Sequence, residues 1–121
     1  NDQTGAPTYT KDLARALRLL IERGNRSSSR RLYHLANLGR TSWFEVGKKL
    51  IEKMELKADL QPISSEELNR PARRPTNSIL NLSRIECDFG IRLRRWEEAF
   101  DEFWNESLGK EWQGLIRSRE S

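Results

Sequence analysis

Side chains that could ligate a metal or act as a nucleophile are scarce in this sequence. His34 is the only histidine, Cys87 is the only cysteine, and the two lie far apart in the chain. A zinc site takes several histidine or cysteine ligands, and a nucleophilic triad needs a histidine with an orienting partner. The sequence therefore predicts no metal site and no triad, and we interpret His34 as a structural residue. The lone cysteine excludes an internal disulfide and favours a reducing compartment.

The sequence also lacks the two motifs that hydride transfer from a nicotinamide cofactor would need. A dinucleotide-binding loop spaces its glycines two and then three residues apart, and no two of the seven glycines here lie two residues apart. A reductase pair places a lysine four residues after a tyrosine, where this chain has Leu13 after Tyr9 and Asn37 after Tyr33. The chain by itself is therefore predicted to be no catalyst and to bind no such cofactor.

The composition indicates one small, charge-rich domain. The 121 residues carry 22 basic and 18 acidic side chains, a net charge of +4, and only 36% hydrophobic residues. This length supports one modest core, which we assign to a single domain over residues 1–107, with 108–121 as a tail that frays or docks. No apolar run approaches the roughly 20 residues that cross a bilayer, and no signal-like leader opens the chain. We therefore expect a cytoplasmic protein.

The middle of the chain predicts the element around which the others are arranged. Apolar and aromatic residues favour a strand over 32–37, and a second short strand is predicted over 58–63. Between them, Ser42 and Glu45 have the spacing of a capping box for an amphipathic helix that begins at Trp43. Because a helix joins the two strands, we expect a parallel β-α-β unit in a small, helix-rich α/β domain.

The flanking segments predict two more helices. The first is expected over 10–23, with Thr10 as its cap and Gly24 as a left-handed final residue. The second is expected over about 95–107 and carries a stripe of aromatic residues at helical spacing. Such a stripe is typical of a core or an interface, because aromatic side chains dominate burial energetics.

Turns and loops are predicted between these elements. Two further capping boxes are expected, Ser64 with Glu67 and Ser83 with Glu86, and Gly90 ends the turn after the second. The serine-rich segment 24–31 and the segment 69–77, rich in arginine and proline, are predicted as loops. Clustered arginines can contact phosphates, but a charge-rich loop is more often simply solvated.

Three segments, read together, resemble the C-terminal part of dTDP-4-dehydrorhamnose reductases: DQTGAPTYTKDLARAL, LYHLANLGRTSWFEVGKKL and PISSEELNRPARRPTNSILNLSRIECDFGIRLRRWEEAF. The resemblance covers about residues 2–104. Members of that family are extended short-chain reductases. Their N-terminal Rossmann half holds NADPH or NADH and the catalytic tyrosine and lysine, and a smaller C-terminal part closes over the nucleotide-sugar.

The resemblance implies that this chain is the sugar-nucleotide-binding part of an oxidoreductase of dTDP-rhamnose biosynthesis. The parent enzyme would reduce dTDP-4-dehydro-rhamnose to dTDP-rhamnose with NAD(P)H. Its cofactor and its catalytic residues would lie in an N-terminal half that this chain does not contain. The expected partners are therefore the dTDP-sugar and that nucleotide-binding half.

Two motifs carry the substrate role that the resemblance implies. Gln3 and Thr8 belong to a segment that matches Asp-Gln-x-Gly-x-Pro-Thr and approaches the cleft between the halves; the alternative is a turn that only positions the first helix. Arg74 and Asn77 match Arg-Pro-x-Asn, whose arginine faces the diphosphate in related reductases. A planar, always charged guanidinium suits two phosphate oxygens. The alternative is an arginine tied to a helix end or a local acid. Arg73 matches less well.

Other functions stay open at this point. The non-catalytic regulatory subunit of methionine adenosyltransferase shares Arg-Pro-x-Asn, so a binding or regulatory module of the same ancestry is the first alternative. A basic nucleic-acid binder would use 23–31 and 92–95, although acids and bases alternate along most of the predicted helices. Exposed apolar surface on the first or last helix would favour a homodimer. Trp43 is explained by packing, without a ligand.

Overall fold

The computed structural model describes residues 2–24, 31–69 and 71–120, and helices predominate in them. The helices are α1 (Thr10–Arg23), α2 (Trp43–Lys53), α3 (Ser83–Phe89), α4 (Trp96–Phe103) and α5 (Gly109–Glu120). A π-helical turn over Trp104–Leu108 joins α4 to α5. Residues 25–30 of the predicted serine-rich loop lie outside the described residues, as does Arg70 of the predicted 69–77 loop.

The sheet consists of two short antiparallel strands in the described part of the chain. Strand β1 (Thr4–Gly5) pairs with β2 (Thr41–Ser42), so that Thr4 faces Ser42. The expected parallel β-α-β unit is wrong, because neither 32–37 nor 58–63 forms a strand. The prediction of a small, helix-rich domain is confirmed.

The segment 32–37 was predicted as a strand from its apolar and aromatic content, but such content does not require a sheet. Tyr33 and Leu35 pack against the core. Backbone pairing begins only at Leu38, whose amide donates to the Arg94 carbonyl and whose carbonyl accepts from the Trp96 amide, both at 2.9 Å. The segment is therefore held by side-chain packing and by this isolated bridge.

The central core lies where α1 meets α3 and the residues after it. Ala16, Ile85 and Ile91 are fully buried there. Six partly buried side chains surround them: Leu19, Leu20, Tyr33, Leu35, Phe89 and Leu93. The opposite side of α1 leaves Leu17 and Ile21 exposed. This is the exposed apolar surface that the sequence predicted for the first helix.

The aromatic stripe of α4 packs as predicted. Trp96 and Ala99 are buried, and the ring of Phe103 lies 5.8 Å from that of Tyr9, just before α1. The α-helix ends at Phe103 and continues as the π-helical turn, so the predicted helix over 95–107 changes its hydrogen bonding near its end.

One predicted capping box forms in part, through its serine hydroxyl, and another forms in full. The Ser42 hydroxyl accepts from the Glu45 amide at 3.3 Å and so caps α2. In the other, the Ser64 amide donates to the Glu67 carboxylate at 2.7 Å, and the Glu67 amide donates to the Ser64 hydroxyl at 3.2 Å. Both pairs satisfy amides that a helix or turn start leaves without a partner.

The other helix ends differ from the predictions, apart from Gly90, which is left-handed (φ 64°) as expected. Ser83 is the first residue of α3, and its amide and hydroxyl both donate to the Asn81 side chain, so it caps nothing. Thr10 likewise lies inside α1, after Tyr9, and Gly24 has a φ of −63° rather than a left-handed one.

A buried polar network fastens the start of α1 to Arg94, two residues before α4. Asp12 is 5% exposed and receives hydrogen bonds from Arg94 Nε and Nη2, both at 2.9 Å, and from Asn37 Nδ2 at 2.8 Å. Arg94 also pairs with Glu102. Burial by itself raises the pKa of Asp12, but the bonds from Arg94 and Asn37 outweigh it and hold that pKa below its usual value.

The same network fixes the segment that leads into α1. The Asn37 side-chain oxygen accepts from the Tyr9 amide at 2.8 Å, and the Asn37 amide donates to the Thr8 hydroxyl at 3.4 Å. Residues 3–9 are therefore anchored at their α1 end by this network and at their other end by β1. This frame carries the candidate site.

Candidate functional site

Arg74 is exposed, on a loop that β1 holds in place. The Thr4 amide donates to the Thr76 carbonyl at 2.7 Å, and the Ser78 amide donates to the Thr4 carbonyl at 2.8 Å. Within the described residues, the Arg74 guanidinium makes no hydrogen bond or ion pair, unlike Arg94 and Arg95. The backbone after Arg74 is therefore fixed, while the Arg74 guanidinium stays available to a ligand.

Two clefts meet at Arg74. The first, here called the loop cleft, lies between the start of α2 and residues 60–68 and has a volume of about 380 Å³. The second, the strand cleft, lies between β1, β2 and residues 74–78 and has a volume of about 270 Å³. Gln3, Trp43 and Arg74 line both clefts. These three side chains thus form the boundary between them.

The two clefts differ in chemistry. The loop cleft is lined by apolar side chains such as Phe44, Leu60 and Ile63, and also by polar ones, among them the Asp2 carboxylate. The strand cleft carries four hydroxyl groups, from Thr4, Thr41, Ser42 and Ser78. Among the residues described at the strand cleft, Arg74 is the only charged one. An anion with several oxygens would find a cation there, and no carboxylate among those residues to repel it, although the hydroxyls of Thr41 and Ser78 already donate to the carbonyls of Ser42 and Thr4.

Gln3 joins the two sides of the loop cleft. Its Nε2 donates to the Ser65 hydroxyl at 2.8 Å, and the Ser65 hydroxyl and amide donate to Asp2 Oδ1 at 2.7 and 3.0 Å. These hydrogen bonds from Ser65 lower the pKa of the Asp2 carboxyl. Ser65 therefore ties residues 60–68 to the N-terminal segment, and Gln3 takes part in that tie as well as lining both clefts.

The other two candidate residues lie apart from the clefts. Thr8 lines a separate apolar hollow with Tyr9, Trp96 and Phe100, and its hydroxyl donates to the Ala6 carbonyl at 3.4 Å. Asn77 pairs through its backbone with Thr4, and its side-chain oxygen accepts from the Ile79 amide at 3.1 Å. The structure thus brings Gln3 and Arg74 together, while Thr8 and Asn77 have visible roles in shaping the backbone. Their substrate roles stay predictions.

The exposure of Trp43 was missed by the sequence reasoning. The interpretation of Trp43 as a packing residue is wrong, because its side chain is 69% exposed at the first position of α2. A helical stripe indicates which residues share a face, but not whether anything covers the end of that face. Ser65 was missed too, because its bond to Gln3 joins segments far apart in sequence.

Metal binding and membrane crossing find no support in the described residues. No group of three or more histidine, cysteine, aspartate or glutamate side chains there could hold a metal ion. His34 and Cys87 are both exposed. None of the described helices is long and apolar enough to cross a membrane.

Similarity to known proteins indicates the family to which this chain belongs. Residues 1–108 match the family model described as the RmlD substrate binding domain. The spore coat polysaccharide biosynthesis protein SpsK of Bacillus subtilis is 38% identical over 106 residues, which are 88% of this chain and 35% of that protein. A dTDP-4-dehydrorhamnose reductase of Sinorhizobium fredii is 36% identical over 105 residues, 81% of this chain and 36% of the relative. The chain thus spans about a third of the length of these relatives.

A solved structure agrees with both fold and sequence. The dTDP-4-dehydrorhamnose reductase of Bacillus anthracis, crystallised in complex with NADP, superposes with a TM-score of 0.78 at 34% identity. The match covers 88% of this chain and 36% of that one. The resemblance inferred from the three sequence segments is thereby confirmed, and the chain belongs to the RmlD substrate binding domain family.

Proposed function

We propose that this chain binds the dTDP-sugar substrate of a dTDP-4-dehydrorhamnose reductase, with Arg74 as the contact to the diphosphate. The observation that carries the proposal is the exposed, uncommitted guanidinium of Arg74 at the meeting point of the two clefts. The alternative that ties this arginine to a local acid finds no such acid among the described residues. The reductase names of the relatives favour this function over a regulatory module.

The chemistry of the strand cleft supports this role for Arg74. A guanidinium presents donors in a planar fork and can bind two phosphate oxygens at once, which a lysine ammonium does less well. The hydroxyls of Thr4, Thr41 and Ser78 line the same cleft and can accept from the hydroxyl groups of a sugar, while those of Thr41 and Ser78 donate to backbone carbonyls. Because β1 fixes the backbone that follows Arg74, through Thr76 and Ser78, less ordering is required on binding.

In this proposal the chain orients the substrate and leaves hydride transfer to residues outside it. NADPH or NADH, with the catalytic tyrosine and lysine, belongs to a nucleotide-binding half of the parent reductase. That enzyme reduces dTDP-4-dehydro-rhamnose to dTDP-rhamnose. We expect no NADPH oxidation from the 121-residue chain with the keto-sugar nucleotide. Measurable turnover by the chain alone would contradict this division of labour.

Calorimetric titration with dTDP tests the role of Arg74. Arg74→Ala should weaken binding by about 1–3 kcal/mol, the range for losing a hydrogen bond that involves a charged group. Arg73→Ala is a matched control, since it removes the same charge one residue away and Arg73 lines neither the loop cleft nor the strand cleft. We expect the control to bind dTDP like the wild type. Equal losses in both variants would mean general charge attraction, and no loss in either would refute the assignment.

A further inference from the structure

Helix α5 carries apolar side chains that stay exposed to solvent. Leu115 and Ile116 are 59% and 37% exposed, and Trp112 lies on the same face, because it precedes them by three and four residues. Apart from its continuation into the π-helical turn, α5 has no extensive contact with another helix or strand in the described part of the chain. We propose that this face is an interface between two copies of the chain, in which α5 packs antiparallel against α5 of the second copy.

The start of α5 is held in place by the fold, although the matched family domain ends at residue 108. Gly109 is buried, and a Cβ at that position would lie 2.7 Å from the Trp104 carbonyl oxygen and 3.0 Å from Trp104 Nε1. Only a glycine fits there, so the indole packs directly against the helix backbone. The exposed face of α5 is therefore presented in one direction before any partner binds.

The charges on α5 are arranged to match an antiparallel copy. Glu111 lies four residues before Leu115 and Arg119 lies four residues after it, so all three are on one side of the helix. Eight residues separate the two charges, a rise of about 12 Å, so they cannot pair within one helix. Neither has a hydrogen bond or ion pair with another described residue. If Leu115 faces its own copy across a two-fold axis, each Glu111 faces the Arg119 of the other copy.

The same arrangement favours an antiparallel pair over a parallel one. In a parallel pair each Glu111 would face another Glu111 and each Arg119 another Arg119, and like charges across an interface repel. In the antiparallel pair, Trp112 and Ile116 lie on one flank and contact each other between the copies, which removes apolar surface from water. Because α5 has only 12 residues, the interface is small, and we expect weak association of the kind seen below roughly 1,200 Å² of buried surface.

Sedimentation equilibrium of the 121-residue chain tests the association. Between about 10 µM and 1 mM, where weak interfaces form, the average mass should rise from the 14.2 kDa of one chain toward twice that mass. Leu115→Asp places two charges at the centre of the interface and should keep the chain monomeric over this range. Ile21→Asp is the matched control, since Ile21 is an even more exposed apolar residue, at 80%, on α1. The control should associate like the wild type.

Charge reversal tests the antiparallel register. Glu111→Lys and Arg119→Glu each bring like charges together in a dimer of one variant, so each alone should associate at least about tenfold more weakly than the wild type. An equimolar mixture of the two variants restores opposite charges at both contacts and should associate like the wild type. Arg117→Glu is the matched control, because it makes the same charge change near the same helix end but on the opposite side of α5. Its association should be unchanged.

Each contrary outcome refutes the inference. A wild type that stays monomeric over the whole range would show that α5 does not pair. Association that is lost in Ile21→Asp but kept in Leu115→Asp would place the interface on α1. Single reversals that associate like the wild type, or a mixture that stays monomeric, would exclude the antiparallel register. None of these results affects the proposed function, because no described residue of α5 lines either cleft.

Discussion

Replacing Asp12 by alanine tests whether the buried network holds the fold together. The change removes two hydrogen bonds from Arg94, both 2.9 Å, and one from Asn37, 2.8 Å. Removing one partner of a buried ion pair costs about 3–5 kcal/mol, because the other charge is left uncompensated. Arg94 is 29% exposed and keeps Glu102, and Asn37 Nδ2 keeps the Arg94 carbonyl at 3.2 Å. We therefore expect a loss of about 2–4 kcal/mol in the free energy of unfolding.

Urea unfolding followed by circular dichroism measures this loss. Arg15→Ala is the matched control, because Arg15 also contacts Asp12, at 3.4 Å, but from a side chain that is 61% exposed. Exposed ion pairs contribute little, so the control should unfold almost like the wild type. The double variant Asp12→Ala, Arg94→Met should be less destabilised than the sum of its single changes. Equal effects of Asp12→Ala and Arg15→Ala, or strict additivity in the double variant, would refute the reasoning.

The same network predicts how stability depends on pH. The pKa of Asp12 is lower in the folded chain than its ordinary value of 3.8, so the unfolded chain binds more protons in acid. The stabilisation is thus complete above about pH 5 and is lost as the pH falls through 3.8 toward the folded pKa. Asp12→Asn removes this contribution. The difference in unfolding free energy between wild type and Asp12→Asn should narrow from pH 5 to about pH 3, and a widening gap would show the opposite sign.

Three further changes test local features. Ser42→Ala removes the α2 cap and should lower the free energy of unfolding by about 1 kcal/mol. Ser83→Ala should lower it much less in the same urea experiment. Equal losses would contradict the capping assignments. Gly90→Ala should lower the free energy of unfolding by about 1 kcal/mol, because Gly90 has a φ of 64°. Gly114→Ala, in α5 with open space around it, should raise that free energy slightly. An unchanged free energy in Gly90→Ala would contradict the left-handed turn. Deleting 109–121 should leave the Kd for dTDP unchanged in calorimetry, since none of the residues described there lines either cleft, and a tenfold rise would show otherwise.

The helices could be predicted from the sequence because their signals are local. The apolar spacing and the Ser42 cap of α2 lie within a few residues of each other, and the helix and the cap are found as expected. The sheet could not be predicted in this way. Strand β1 has only two residues, and its partners lie far along the chain, so no alternating pattern marks it. The segment 32–37 has the apolar and aromatic content of a strand, but Asn37 and Leu38 bond to the segment before α1 and to the residues before α4.

The site could be predicted only in part, because it depends on the backbone of Thr4 pairing with two different segments. Thr4 faces Ser42 in the sheet, and its amide and carbonyl bond to Thr76 and Ser78 on the other side. Trp43 directly follows Ser42, and Arg74 comes shortly before Thr76. Gln3 directly precedes Thr4, so the three residues that line both clefts converge because Thr4 pairs in two directions. Motif similarity identified Arg74 and Gln3 singly, but their convergence with Trp43 follows from this pairing. A shift of one residue in the register would turn the side chains of β1 to the other face and separate the cation from the ring.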